Sequence, residues 1–122
     1  MAENKQYITH IQDNGTVMIS EDVVASIVTL SVKEVDGVVS LSVKPGADIA
    51  DLIGKKYWGK GMKITIGEDN ELRIDCNVIV VYGQSVVAVA KAIQEAITAS
   101  LESMTGVKVA SVNVNICGIS AQ

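Results

Sequence analysis

The chain reads as an α+β domain: a two-layer sandwich in which one mixed sheet of four or five strands carries two helices on one face. Three observations predict this. The apolar residues are mostly β-branched, with 19 Val and 14 Ile against 5 Leu and no Phe, and such side chains fit a pleated surface better than a helix interior. Two windows, near 21–34 and 85–104, place apolar residues at three- and four-residue steps, which gather them into one stripe on a helix. Finally, Leu72 to Ile116 forms a strand–helix–strand passage in which each piece supplies a hydrophobic face that another can cover.

The 122 residues suit one domain, and 48% hydrophobic with 20% charged residues is a globular composition. Residues 1–14 read as a flexible tail ending in the turn-like Asp13-Asn14-Gly15, and residues 15–122 as a single domain. Thr16–Ile19 is a short strand. Ser20 then caps a helix that carries Glu21 and Asp22 in its first turn, where acidic charge favours the helix dipole. This helix should bury Val24, Ile27, Val28 and Ser31, with Val23, Leu30 and Val35 beside them. Gly37 is placed to end it.

Val38–Val43 follows as a strand with Val39, Leu41 and Val43 on one face, and Lys44-Pro45-Gly46 stops it. Residues 44–60 form the longest irregular segment. Met62, Ile64 and Ile66 resume the alternation, and Gly67–Asn70 turns the chain into the strand at Leu72, giving a hairpin. In that strand Arg73, Asp75 and Asn77 mark the solvent side, while Cys76 and Tyr82 go inward with Ile74, Val78 and Val80. Ile79 and Val81 interrupt the polar face, so something should cover them: Ile49, Ile53 or Trp58 of the 44–60 segment, or another subunit. The second helix gathers Val86, Val89, Ala90, Ile93, Ile97, Leu101 and Met104, with Gly106 as its C-terminal cap. The last strand sets Val112, Val114 and Ile116 against Asn113, Asn115 and Cys117.

The inventory of chemistry is short. His10 stands in the tail without a cysteine or carboxylate cluster, whereas a zinc site needs about four ligands. Cys76 and Cys117 lie within strands with no histidine to act as base, so they read as small core residues. Two cysteines fit a reducing cytoplasm. No pair of carboxylates is spaced as an acid/base couple. These residues lead to no expected catalytic site, cofactor or metal. Ser85, in Tyr82-Gly83-Gln84-Ser85, reads as a helix cap rather than an anion site.

The sharpest candidate is Gly54–Gly61, where Lys55, Lys56 and Lys60 surround Tyr57 and the single Trp58, with Lys63 close after. Glycines admit close backbone approach, lysines neutralise phosphate, and an aromatic ring can stack on a base or sit at a lipid interface. The Gly-Lys-Ser/Thr of a P-loop is missing. A net charge of −4 argues against a dedicated polyanion binder. A nucleic-acid or phosphate-binding module using this loop is therefore the alternative expectation. The candidate interaction residues are Lys55, Lys56, Tyr57, Trp58, Lys60, Lys63, Ile79 and Val81. No stretch approaches the roughly 20 apolar residues of a membrane span.

The order of motifs carries a resemblance. Gly15-x-Val-x-Ile19-Ser20-x-x-Val23-Val24 leads into Glu34-Val35-Asp36-Gly37-Val38-Val39. Gly59-Lys-Gly61-Met-Lys63, Ile74-Asp75, Ile79-Val-Val-Tyr82-Gly83 and Ile93-Gln94-Glu95 follow. Glu102-Ser-Met-Thr-Gly106 and Val112-Asn113-Val114 before Gly118 complete the set. Over residues 15–119 this resembles the alkaline shock protein family of Gram-positive bacteria, also called the envelope stress response family. The resemblance implies a small, non-enzymatic cytoplasmic protein acting as a scaffold or adaptor. It would be tied to the envelope through protein partners, one of them membrane-anchored, rather than by a span of its own. It also implies self-association and, in some relatives, a link to membrane and fatty-acid homeostasis. The family has no catalytic motif to carry over.

Overall fold

The computed structural model describes residues 7–42 and 61–121. In chain order the elements are β1 (Tyr7–Gln12), β2 (Gly15–Ser20), α1 (Glu21–Lys33), β3 (Val38–Leu41), β4 (Met62–Ile66), β5 (Leu72–Val81), α2 (Val86–Thr105) and β6 (Val109–Ser120). The α+β class holds: β3, β4, β5 and β6 form one four-stranded mixed sheet, and β1 and β2 form a separate antiparallel hairpin.

β5 is the axis of the sheet. β6 lies parallel to it on one side, with Ile74 opposite Val112 and Asn77 opposite Asn115. On the other side, β3 and β4 both run antiparallel to β5 and follow one another along the same edge. β3 covers the far half, with Val38 opposite Val80 and Leu41 opposite Val78. β4 covers the near half, from Met62 opposite Cys76 to Ile66 opposite Leu72. They meet at Asn77, whose N–H donates to Gly61 O at 2.8 Å and whose C=O accepts from Ser42 N–H at 2.8 Å. The chain thus leaves this edge after Ser42 and rejoins it at Gly61, at a single point of the ladder.

The even-numbered residues of β5 (Leu72, Ile74, Cys76, Val78, Val80) are buried, together with Met62, Ile64 and Ile66 of β4. Val24, Ile27, Val28 and Val32 of α1 and Val89, Ile93, Ile97 and Leu101 of α2 belong to the same core. The helix stripes are as the periodicity predicts in their middles and differ at their margins. Leu30 and Val23 of α1 are exposed, and so is Met104 of α2, where Thr105 is buried instead. Thr105 is the better fit because its hydroxyl donates to Leu101 O at 2.6 Å and accepts from Val107 N–H, closing the end of the helix. Gly106 follows with φ +75°, the left-handed cap its position predicts.

Both N-caps are as expected. Ser20 Oγ accepts from Val23 N–H at 3.4 Å and Ser85 Oγ accepts from Ala88 N–H at 3.2 Å. Ser85→Ala should lower stability by about 1 kcal/mol, read as a shift in the urea midpoint without a change in slope.

Three strand expectations are corrected. β3 carries a bulge between Val38 and Ser40, so Val38 and Leu41 both pack on the core while Val39 is exposed. Tyr82 lies beyond the last ladder pair and is exposed at 74% rather than turned inward. Cys117 sits at a register shift in β6, where Val78 opposes Ile116 but Ile79 opposes Gly118, so the strict alternation read through Cys117 is interrupted there.

The tail is corrected over its second half. Residues 7–12 are a strand whose Ile8 is fully buried. The hairpin closes through Asp13-Asn14, with Gln12 opposite Gly15. Two long-range locks hold it. Asn70 Oδ1 accepts from Thr9 N–H at 3.2 Å and Asn70 Nδ2 donates to Thr9 O at 2.9 Å. His10 Nε2 lies 2.7 Å from Thr105 O, and since a carbonyl can only accept, Nε2 carries the proton. Asn70 also has φ +67°, a conformation asparagine tolerates better than most residues. Asn70→Ala loses both bonds and keeps the unfavourable φ. A loss of about 2 kcal/mol is expected in thermal or urea unfolding, with Asn70→Gly milder because glycine restores the backbone freedom.

Candidate interaction surface

Only part of the predicted interaction set lies within the described residues. Lys55, Lys56, Tyr57, Trp58 and Lys60 fall outside them, as do Ile49 and Ile53, while Lys63, Ile79 and Val81 are on the outer face of the sheet, opposite the helices. That face has two halves. In the first, Lys63 stands across from Asp75 and Thr65 across from Arg73. Asn113 Nδ2 donates to Asp75 Oδ1 at 3.0 Å, and Arg73 pairs with Glu71 at 3.2 Å. In the second, Ile79 and Val81 are half-buried. Gly118 stands opposite Ile79, and a Cβ built there would reach Ile79 Cγ1 at 3.5 Å, so the isoleucine fills the space a larger neighbour would take. Lys63 faces Asp75, four residues along β5 from Ile79, a separation of about 13 Å. The structure therefore places these three residues on one face but not in one cluster.

Asn77 divides the halves. It is 1% exposed, its Oδ1 accepts from Asn115 Nδ2 at 2.9 Å, and its Nδ2 has no hydrogen-bond partner among the described residues. A buried amide donor left unpaired costs stability.

The cysteines differ from each other. Cys76 is fully buried in the core, and that burial, with the negative charge of Asp75 beside it, pushes its thiol up to about 12. It is a poor nucleophile, since the thiolate is the reactive form. The folded protein holds this proton to about pH 12, whereas the unfolded chain releases it near the ordinary value of 9.0. Stability is thus full below pH 9 and falls as pH rises from there toward 12, by about 1.4 kcal/mol per pH unit from this group. Cys76→Val should flatten that part of the unfolding curve, and iodoacetamide should label Cys76 only after unfolding. Cys117 is half-buried, with its thiol 3.7 Å from Asn115 O.

A cleft of about 340 Å³ lies where the hairpin meets the sheet, lined by His10, Asp69, Asn70, Glu71, Gly106, Val107 and Lys108. Its polar groups are largely engaged in holding the fold. His10 bonds Thr105 O, Asn70 bonds Thr9, Asp69 Oδ1 accepts from Glu71 N–H and Glu71 pairs with Arg73. Among the described residues no group of three or more His, Cys, Asp or Glu side chains is placed to hold a metal ion.

Residue reading missed the exposed apolar surface of the hairpin. Ile11 is 86% and Met18 58% exposed, and β1 lies in the segment that the sequence pattern assigns to a tail. Alternation over Tyr7–Gln12 is interrupted by Thr9 and His10, so only the paired partner strand reveals it. Val87 and Ile119 are likewise exposed, at the first turn of α2 and the end of β6.

Among the described residues no helix is long and apolar enough to cross a membrane. The chain is 32% identical over 111 residues to the Bacillus subtilis protein YqhY, covering 91% of this chain and 79% of the relative. It is 32% identical over 108 residues to Spy1535 of Streptococcus pyogenes serotype M6, covering 88% of this chain and 81% of the relative. Spy1614 of the same organism is 31% identical over 108 residues, covering 87% and 88%. All three carry the description of uncharacterized proteins. No solved structure gives a significant match. A family model described as of cell envelope-related function matches residues 9–121, almost the whole described chain including both helices and most of the hairpin, and with it the chain belongs to the alkaline shock protein family.

Proposed function

We propose that this protein is a non-enzymatic adaptor of the cell envelope. It works from the cytoplasmic side, self-associates, and is held near the membrane by a protein partner rather than by lipid. The observation that carries the reading is the family match over residues 9–121, with its envelope-related function. The outer sheet face supports it, because its half-buried Ile79 and Val81 beside a polar, hydrogen-bonded half make a surface of the kind that proteins use to meet other proteins. A contribution to membrane lipid or fatty-acid homeostasis is part of the proposal.

The test is binding to membranes from a Gram-positive cell. The purified protein should sediment with native membranes, and mild protease treatment of those membranes should abolish binding. Protein-free vesicles made from the same lipids should not bind it. Ile79→Asp with Val81→Asp should weaken binding at unchanged secondary structure. Retention by the protein-free vesicles would replace the protein partner with a lipid surface.

A further inference from the structure

The two edges of the main sheet are built differently. The β3–β4 edge is short, broken between Ser42 and Gly61, and carries Lys63. Those are the devices by which proteins keep sheet edges from pairing. The β6 edge is long and uncharged, and its two register shifts, at Ala110 and Cys117, leave the stretch Ser111–Ile116 between them regular. Val109–Ser120 runs for 12 residues with no charged residue and no proline, and among the described residues it pairs only with β5.

The backbone groups on that edge follow from the ladder. Asn77 turns its N–H and C=O toward Gly61 and Ser42, so the even-numbered residues of β5 bond β6. In the parallel register this engages Asn113 and Asn115 and leaves Val112, Val114 and Ile116 with their backbone groups pointing away from the sheet. The bond from Gln94 Nε2 to Val112 O at 3.0 Å agrees, because a side chain reaching over from α2 can meet only an outward carbonyl.

We infer that this edge pairs with the same edge of a second copy, antiparallel about a two-fold axis at Val114. The inference rests on the self-association in the proposed function and names its surface. The occupant is argued from the side chains. Val114 would exchange both backbone bonds with its counterpart, and Val112 would oppose Ile116 of the second copy. Asn113 would then oppose Asn115 of the second copy on the outer face. Asn113 Nδ2 already donates to Asp75 and Asn115 Nδ2 to Asn77, so among the described residues each amide keeps a free acceptor oxygen and a second N–H. Those leftovers are mutually complementary across the axis, so the pairing joins two amide ladders into one. Val112 O keeps a second lone pair, so Gln94 need not let go.

Sedimentation velocity over a concentration series, with amide hydrogen exchange, tests this. Wild type should dimerise, and the amides of Val112, Val114 and Ile116 should gain protection as concentration rises. Asn113→Lys with Asn115→Lys opposes like charges twice across the axis and should weaken the dimer about tenfold. Asn113→Lys with Asn115→Glu opposes Lys to Glu in the same register and should restore it. Circular dichroism of each variant checks the fold. A dimer that ignores both double variants and leaves the β6 amides exchanging freely overturns the edge pairing while leaving self-association standing. A strict monomer overturns the edge pairing and self-association together, and membrane binding through a partner is then judged by its own sedimentation test.

Discussion

Gly61→Ala is expected to destabilise the domain by about 3 kcal/mol or more, far beyond the usual effect of one added methyl. Gly61 has φ +90°, a conformation in which any Cβ is strained. A Cβ there would stand 2.7 Å from Ser42 O, 2.8 Å from Ser42 N and 3.1 Å from Leu41 Cβ. The first two are backbone atoms on the strand that continues this edge, and Ser42 N–H is bonded to Asn77 O. Relieving the overlap therefore breaks the junction at which β3 and β4 share β5. Gly83→Ala is the control: its φ is +101°, but a Cβ there meets nothing within 4 Å. It should cost about 1 kcal/mol, the conformational part alone. Urea unfolding of the two variants side by side decides the matter. Equal midpoints would show that the close approach of Gly61 to Ser42 has no energetic weight.

The second large effect separates two residues that periodicity treats alike. Leu101 and Met104 both lie on the apolar stripe of α2, three residues apart. Leu101 is fully buried and Met104 is 67% exposed. Leu101→Ala should cost about 2–5 kcal/mol, from lost burial and the cavity left behind. Met104→Ala should stay within about 0.5 kcal/mol. Denaturant midpoints measure both, and a Met104 variant as damaging as the Leu101 one would mean that a further surface covers the end of α2.

The elements were readable wherever one physical signal dominated. The stripe Val89, Ile93, Ile97 and Leu101, the caps Ser20, Ser85 and Gly106, and the alternation of β4 and β5 are each local patterns, and all stand in the structure. Reading failed where a distant partner sets the outcome. Tyr7–Gln12 becomes a strand because β2 pairs with it and because Asn70 and Thr105 hold it from 61 and 95 residues away. Val39 turns out because a bulge against β5 shifts the alternation. Of the interaction residues, Ile79 and Val81 were legible as apolar positions on a polar face. The uncharged run of β6 was visible too, but nothing local says that its far side lacks a neighbouring strand among the described residues.

The amino-acid order alone determined the α+β class, the strand–helix–strand unit and the family, since periodicity, capping and motif order are properties of neighbouring residues. Tertiary structure decided that β3 and β4 share one edge at Asn77, that the hairpin is clamped to the sheet, and that β6 pairs on one side only among the described residues. These depend on which backbone groups find partners across tens of residues, and a hydrogen bond between distant segments leaves no periodic mark on either.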